Sequence, residues 1–261
     1  MFENILIVYN EKLSEKHLAT LDNVEDILKE KEIEFYSVEV KDLQFSCFKD
    51  KDLIITIGGD GTFIAASSFT KNQKILGINS EPEQSEGFLT SIKENELEKL
   101  KEILDGKYKI IKRQRIQVKR NNILLPKLAL NDVYLGSSSQ FHTSRYIINY
   151  KENKEEQRSS GILISTGSGS TAWYKSAGGN PFSFEEEKLK FLIREPYSGN
   201  LYKPTILNGE INENESLKIQ GKRNNGGILA LDSCFTYRFN NKDKVEISIY
   251  QYPLNVLQNQ D

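Results

Sequence analysis

Short apolar runs alternate with amphipathic stretches along the first hundred residues of the chain. Four runs typical of buried strands cover residues 4–9, 33–40, 52–57 and 74–79. From Leu18 to Leu28, leucine, valine and isoleucine recur at helical spacing opposite Lys, Glu and Asp. Residues 62–70 and 94–104 predict two more helices. Strands that alternate with helices predict a parallel sheet covered on both faces, as in a Rossmann-like α/β domain.

Beyond residue 107 the helical periodicity mostly disappears and short strand-like runs replace it. These runs cover residues 116–119, 128–134, 145–150, 161–165, 189–193, 216–219, 227–231 and 245–252. Two polar segments, residues 151–159 and 208–215, are interpreted as hairpin loops. We therefore predict an α/β domain over residues 1–106 and a β-rich, sandwich-like domain over residues 107–235.

The composition is that of a globular protein without a polyanionic partner. The 261 residues include 35 basic and 37 acidic side chains, a net charge of -2, so no nucleic-acid partner is expected. Two cysteines make no disulfide framework and favour a reducing compartment, and the two histidines form no zinc-ligand cluster. No targeting segment and no apolar run of the ~20 residues that span a bilayer is present. We expect a cytoplasmic protein that does not bind membranes.

The strongest local signal is the run Gly58-Gly59-Asp60-Gly61-Thr62, which follows an apolar strand and precedes a predicted helix. Glycines let phosphate groups approach main-chain N–H groups, and the start of a helix directs its free N–H groups to the same place. The carboxyl end of a parallel strand is also where open α/β sheets bind ligands. The alternative is a tight strand-to-helix turn in which Asp60 only caps the helix.

A carboxylate beside a phosphate cradle can accept the proton of an attacking hydroxyl group. Phosphoryl transfer otherwise depends on positioning and on neutralising charge, so this chemistry implies Mg²⁺ as the counter-charge of the phosphates. The P-loop pattern Gly-x-x-x-x-Gly-Lys-Ser/Thr is absent from the sequence. Asp60 is therefore our candidate general base for phosphoryl transfer.

Two further polar segments follow strand-like runs. The pair Asn131-Asp132 offers one donor and several acceptors, which can grip a vicinal diol such as a ribose, although Asn-Asp is also a common turn signal. Residues 161–176 run from a strand into a loop rich in glycine and hydroxyl groups. Part of this loop matches the Rossmann pattern Gly-x-Gly-x-x-Ala, a weak signal in a β-rich region. Trp173 either fills a core or lies against a base or nicotinamide ring.

In this order and spacing, the three segments resemble the NAD kinases. Those enzymes transfer the γ-phosphate of ATP, or in some members polyphosphate, to the 2′-hydroxyl of the adenosine ribose of NAD. The resemblance runs from about residue 52 to residue 235. Residues 77–87, Gly167, Trp173 and Arg194-Glu195-Pro196 are similar to the branch that includes the mitochondrial-type enzyme of animals. The glycine run alone is shared with diacylglycerol-type lipid kinases, and a similar run occurs in phosphofructokinases.

The resemblance implies roles for individual residues. Asp60 matches the catalytic base, and Asn131 and Asp132 match the pair that holds the ribose hydroxyls, with Asp where Glu is commoner. Phe88 matches the aromatic residue near the adenine. Nucleotide and dinucleotide binding is further expected at Gly59, Gly61, Thr62, Ser168, Thr171, Ala172, Trp173 and Ser176, of which the last four line the nicotinamide-side ribose and ring.

The resemblance also has implications for the whole chain, and it fails at one position. It implies that residues 236–261 return to the α/β domain, that the partners are the small molecules NAD and ATP, and that the protein is a homodimer or homotetramer. Ser160 stands where many family members carry an Asp that touches the dinucleotide. Preference between NAD and NADH is the property we expect this change to affect. A diacylglycerol-type lipid kinase, a non-catalytic dinucleotide-binding protein and, least favoured, a dehydrogenase stay as alternatives.

Overall fold

A computed structural model describes residues 2–10 and 14–260 of the chain. The chain forms two compact units, one that ends at Lys112 and resumes at Leu254, and one that spans Arg113–Pro253. The second unit therefore begins at Arg113 and ends at Pro253, whereas the predicted boundaries were residues 107 and 235. Residues 236–253 belong to the second unit because the strands Phe235–Arg238 and Lys244–Ile249 pair with strands of that unit. No helix in the described part of the chain is both long enough and apolar enough to span a bilayer.

The first unit is an α/β domain with a seven-stranded sheet. Its strands are β1 (Asn4–Tyr9), β2 (Glu34–Glu39), β3 (Leu53–Ile57), β4 (Lys74–Asn79), β5 (Ile92–Lys93), β6 (Tyr108–Arg113) and the C-terminal strand (Leu254–Asn259). The order is β2-β1-β3-β4-C-terminal strand-β6, and β5 also pairs with β4. Strands β1 to β4 run parallel, and the C-terminal strand joins β4 in parallel. This confirms the predicted parallel sheet and the predicted return of the last strand.

Helices flank this sheet where the apolar spacing predicts them. They are α1 (Glu15–Glu30), α2 (Asp60–Ser67) and α3 (Glu98–Leu104), with 3₁₀ turns at Val40–Asp42 and Phe45–Phe48. The hydroxyl group of Ser14 caps α1 by accepting a hydrogen bond from the backbone N–H of His17. All five residues of β3 are buried, as expected for a central strand of a parallel sheet. The strand that leads into the glycine run is thus held rigidly.

The second unit is a sandwich of two six-stranded antiparallel sheets. Its strands are β7 (Ile116–Arg120), β8 (Ile123–Leu124), β9 (Asp132–Ser137), β10 (Ser144–Tyr150), β11 (Asn153–Ser159), β12 (Gly161–Ser165), β13 (Lys188–Arg194), β14 (Asn208–Asn212), β15 (Leu217–Gly221), β16 (Gly227–Leu231), β17 (Phe235–Arg238) and β18 (Lys244–Ile249). The strand orders are β11-β10-β15-β18-β7-β8 and β14-β13-β12-β9-β16-β17. Apolar side chains from both sheets form one core. The predicted sandwich-like domain is confirmed.

The second sheet also carries a smaller apolar cluster on its outer face. A 3₁₀ turn (Gly169–Thr171) leads into a single helical turn, α4 (Trp173–Ser176). Tyr174 of α4 is buried in this cluster with Tyr134 and Leu163, and Trp173 packs against it. The third segment singled out in the sequence therefore lies on the outer face of the β9–β12 strand pair.

The two polar segments interpreted as hairpin loops are strands instead. Residues 153–159 form β11 and residues 208–212 form β14, and each lies at the edge of its sheet. An edge strand has a solvated side, so it needs no apolar alternation, and polar side chains there protect against edge-to-edge association. The strand predicted from Leu128 begins only at Asp132. The backbone N–H groups of residues 130–132 bond to a carboxylate, as described below, and not to a neighbouring strand.

Candidate functional site

The glycine run forms a tight turn from β3 into α2. Gly58 adopts a φ of +143°, and a Cβ there would lie 2.5 Å from the hydroxyl oxygen of Thr62. Gly59 is the N-cap of α2, and a Cβ on it would collide with the side chain of Ser85. Asp60 is the first residue of the helix. The turn therefore needs glycine at its first two positions, and it places Asp60 beside the free N–H groups of a helix start.

Two backbone N–H groups hold the carboxylate of Asp60 in place. The N–H of Phe88 donates to Oδ2 at 3.1 Å, and the N–H of Leu89 donates to Oδ1 at 2.8 Å. Both donors belong to the loop that follows β4. The Phe88 side chain is 69% exposed, whereas Thr62 is buried. Five residues singled out in the sequence thus lie around one turn: Gly59, Asp60, Gly61, Thr62 and Phe88.

Asn131 and Asp132 lie against the loop that follows β12. The carbonyl oxygen of Asn131 accepts hydrogen bonds from the N–H of Thr166 at 3.0 Å and from the hydroxyl group of Ser165 at 3.2 Å. A Cβ on Gly169 would collide with the backbone of Asn131. Antiparallel pairing of β9 with β12 brings Asp132 opposite Ser165. The second and third segments of the sequence pattern therefore form one continuous site in the second unit.

A buried acid that is not among the predicted site residues organises this pair. The carboxylate of Asp232 accepts hydrogen bonds from the backbone N–H groups of Leu130, Asn131 and Asp132, at 2.6, 2.8 and 2.9 Å. The N–H of Asp232 in turn donates to the carbonyl oxygen of Asp132 at 2.9 Å. A single Asp after a strand resembles an ordinary turn residue, so nothing in the sequence marks it. Asp232 holds the backbone on which the Asn131 and Asp132 side chains stand.

Burial raises the pKa of the two neighbouring acids. Desolvation, reinforced by the charge of Asp232, raises the pKa of Asp132 to about 7. Desolvation also raises the pKa of Asp232 to about 6, against the opposing effect of its three backbone donors. Asp132 can therefore carry a proton near neutrality and donate a hydrogen bond, whereas the ionised carboxylate expected from the sequence is an acceptor alone. Within the described residues, the buried Oδ1 of Asn131 has no hydrogen-bond partner.

Trp173 is packed between two side chains of the outer face. The centroid of its ring lies 5.2 Å from that of the Tyr134 ring. The guanidinium carbon of Arg194 lies 5.3 Å from the centroid of the Trp173 ring, which is a cation–π contact. Thr171, Ala172 and Ser176 are exposed beside it. On the same loop, the hydroxyl group of Ser168 accepts a hydrogen bond from Nη1 of Arg113 at 3.1 Å. Trp173 thus contributes to packing, and the hydroxyl-bearing residues Thr171 and Ser176 are exposed beside it.

The Gly-x-Gly-x-x-Ala match does not form a Rossmann unit. Gly167 lies so close to Ser183 and Phe184 that no side chain fits there, and Ala172 precedes a helix of only four residues. The strand before it, β12, pairs only with antiparallel neighbours. A dinucleotide fold of the oxidoreductase type needs a parallel β-α-β unit, so this motif gives the dehydrogenase alternative no structural support.

The backbone of Ser160 borders the Trp173 cluster. Its carbonyl oxygen accepts a hydrogen bond from the hydroxyl group of Tyr134 at 2.6 Å, and its N–H donates to the carbonyl oxygen of Arg194 at 2.9 Å. The backbone at position 160 is therefore held beside Tyr134 and Arg194. A serine supplies no charge at this place, whereas an acid would.

Comparison with known proteins identifies the family. The profile of the ATP-NAD kinase N-terminal domain matches residues 3–108. The NAD kinase of Aquifex aeolicus (strain VF5) is 34% identical over 191 residues, which cover 69% of this chain and 68% of that protein. The chain belongs to the NAD kinase family.

Other members of the NAD kinase family share both sequence and fold with this enzyme. The NADH kinase of Arabidopsis thaliana is 30% identical over 277 residues, which cover 96% of this chain and 86% of that protein. The crystal structure of an NAD kinase from Archaeoglobus fulgidus in complex with ATP superposes with a TM-score of 0.78 at 20% identity. That superposition covers 98% of this chain and 94% of the other, so the two folds agree over almost their whole length.

Proposed function

We propose that this enzyme transfers the γ-phosphate of ATP to the 2′-hydroxyl group of the adenosine ribose of NAD or NADH, with Asp60 as the general base. The observation that carries this proposal is the position of Asp60. It lies in a glycine turn at the start of α2, with its carboxylate oriented by the N–H groups of Phe88 and Leu89.

The turn supplies the two elements that phosphoryl transfer requires. The free N–H groups at the start of α2, beside Gly59 and Gly61, offer hydrogen bonds to the phosphates of the donor. Each oxygen of Asp60 accepts one backbone hydrogen bond and keeps further acceptor capacity. The carboxylate can therefore take the proton of the attacking hydroxyl group as its oxygen bonds to phosphorus, a contribution of roughly 10²- to 10⁴-fold to the rate.

The second unit supplies groups suited to the acceptor. The unpartnered Oδ1 of Asn131 and the carboxyl group of Asp132 can bind ribose hydroxyl groups. By the family resemblance, Thr171, Ala172, Trp173 and Ser176 line the nicotinamide side, and Ser168 lies on the same loop. Exposed Phe88 of the first unit offers an aromatic face for the adenine.

Mg²⁺ fits this chemistry as part of the nucleotide substrate. The described residues contain no group of three or more His, Cys, Asp or Glu side chains that could hold a metal ion. Phosphate oxygens are ligands that Mg²⁺ prefers, and it usually keeps few protein ligands. We propose that ATP brings the ion and that its charge offsets the phosphate charge.

The direct test is product formation. Purified protein is incubated with Mg²⁺, with ATP or polyphosphate as donor, and with NAD or NADH as acceptor, and NADP or NADPH is measured. We expect phosphorylated dinucleotide from at least one pair and no phosphorylation of diacylglycerol vesicles. Tight dinucleotide binding without product would instead favour the non-catalytic alternative, and vesicle phosphorylation would favour a lipid kinase.

A further inference from the structure

The loop between β4 and β5 connects Asp60 to the first helix. We call residues 80–89 the β4–β5 loop. Its last two residues, Phe88 and Leu89, are the two backbone donors to the Asp60 carboxylate. The side chain of Ser85, further back in the loop, lies directly against Gly59. The orientation of Asp60 therefore depends on how firmly this loop is held.

A buried hydrogen bond fixes the first residue of the loop. The Nδ1 atom of His17, on α1, lies 2.7 Å from the hydroxyl oxygen of Ser80. The two residues are 1% and 0% exposed, so water does not compete for this bond. Burial lowers the pKa of His17, against the opposing charge of Glu81, so the imidazole is neutral at physiological pH. The bond consequently joins two neutral groups.

Other contacts hold the middle of the same loop. Asn79, the last residue of β4, donates from Nδ2 to the carbonyl oxygen of Ser85 at 2.9 Å and accepts from the N–H of Glu81 at 3.2 Å. Lys16, next to His17, forms an ion pair with Glu83 at 3.0 Å. The Lys16 pair is exposed and contributes little. The buried His17–Ser80 bond is the stronger link between α1 and the loop.

We propose that His17 is a positioning residue for the reaction: through Ser80 it holds the β4–β5 loop so that the N–H groups of Phe88 and Leu89 orient the Asp60 carboxylate. This proposal rests on the general-base role of Asp60 proposed above. Loss of the bond would let the loop shift relative to α2. Displacements of about 1 Å in a reacting group can cost on the order of 10²-fold in rate, so a partial displacement is expected to cost about tenfold.

The experiment compares His17→Leu and Ser80→Ala with His17→Asn, whose amide can replace Nδ1. We expect kcat to fall about tenfold in the first two, with KM for ATP within about twofold, and to recover in His17→Asn. In an Asp60→Asn background, Ser80→Ala should lower the residual rate no further, because the bond acts through Asp60. Val24→Ala, a buried substitution on α1 away from the loop, controls for lost stability alone.

Amide hydrogen exchange supplies a readout that does not depend on turnover. In His17→Leu and Ser80→Ala, the N–H groups of Phe88 and Leu89 should exchange faster than in wild type and in Val24→Ala. Unchanged exchange at these two groups, or a kcat no lower than that of Val24→Ala, would overturn the proposal. A wild-type protein that forms no phosphorylated dinucleotide would instead overturn the proposed function, and hydrogen exchange would still test the positioning of the loop.

Discussion

At the scale of the residue, Asp232 shows why part of the site is invisible in the sequence. Asn131-Asp132 is recognisable in the sequence as a polar pair after an apolar run, but its geometry depends on an acid 100 residues away from Asp132. Charge-assisted hydrogen bonds to a buried carboxylate stabilise a protein by about 1.5–3 kcal/mol each. The pattern of residue types could identify the pair. It could not identify Asp232, because no local spacing connects the two segments.

We expect Asp232→Asn to weaken both the fold and dinucleotide binding. The amide keeps one acceptor oxygen but turns an NH₂ group toward backbone donors, so the free energy of unfolding should fall by about 2–4 kcal/mol. Chemical denaturation measures that change, and KM for the dinucleotide should rise. Asp52→Asn is the matched control, because exposed Asp52 accepts the N–H groups of Glu3 and Asn4 far from Asn131 in sequence. Equal effects of both variants would contradict this account.

Asp132 makes the free energy of unfolding depend on pH. Its pKa is about 7 in the folded protein and ~3.9 in the unfolded chain. Between these values the folded state holds the extra proton, so this group stabilises the fold at low pH, and that stabilisation is lost as pH rises from about 4 to 7. Asp132→Asn should flatten this dependence, by on the order of 2 kcal/mol. Thermal unfolding of both proteins at pH 5 and pH 8 measures this dependence. If stability differs between the two pH values by the same amount in wild type and in Asp132→Asn, the prediction is wrong.

At the scale of the element, the position of a strand at the centre or at the edge of its sheet explains whether the sequence predicted it. Strands β1 and β4 were predicted to the residue, because apolar runs in a parallel sheet are buried on both faces. The edge strands β11 and β14 were not predicted, because a strand with one side in solvent tolerates a polar sequence without apolar alternation. Helix α2 begins two residues before its predicted start, at Asp60 itself. That difference matters for function, since it places the acid in the first turn of the helix.

The turn into α2 predicts opposite effects of alanine at two glycines. Gly58→Ala would force a side chain into a φ of +143° and against Thr62, so we expect about 1–3 kcal/mol of destabilisation. Gly61 is helical, and apart from its chain neighbours and its own helical backbone no atom of the described residues lies within 4 Å of the Cβ that Gly61→Ala would add. Alanine there should leave stability unchanged or raise it by up to about 1 kcal/mol. Denaturation midpoints measure both, and similar losses in the two variants would show that the turn geometry is wrong.

At the scale of the whole molecule, the change of periodicity near residue 107 located the division between the units to within a few residues. The residue at which the chain returns to the first unit was predicted less accurately, at 236, whereas the first unit resumes at Leu254. Residues 245–252 resembled one strand, whereas β18 ends at Ile249 and a new strand begins at Leu254. The new strand differs only in that Val256 and Leu257 are buried in succession. Two adjacent apolar residues are too weak a signal to show that the two strands belong to different sheets.

The C-terminal strand should be essential to the first unit. It lies between β4 and β6, and Leu254, Val256 and Leu257 are buried. Removing residues 254–261 would expose this apolar surface and the edges of both neighbouring strands. We expect the shortened chain to be insoluble or to lose the cooperative unfolding of the first unit in calorimetry. A chain that lacks only residues 260 and 261 is the control, and equal behaviour of the two would contradict the strand assignment.

The central claim is that Asp60 is the base that activates the 2′-hydroxyl group of the adenosine ribose. Asp60→Asn keeps the size of the side chain and removes the carboxylate, so its effect on turnover tests this claim most directly. We predict that kcat falls by roughly 10²- to 10⁴-fold, whereas the variant, which keeps one of the two acceptors of the loop N–H groups, still binds NAD and ATP within a few-fold of wild-type affinity in calorimetric titrations. Turnover within a few-fold of wild type would contradict the account.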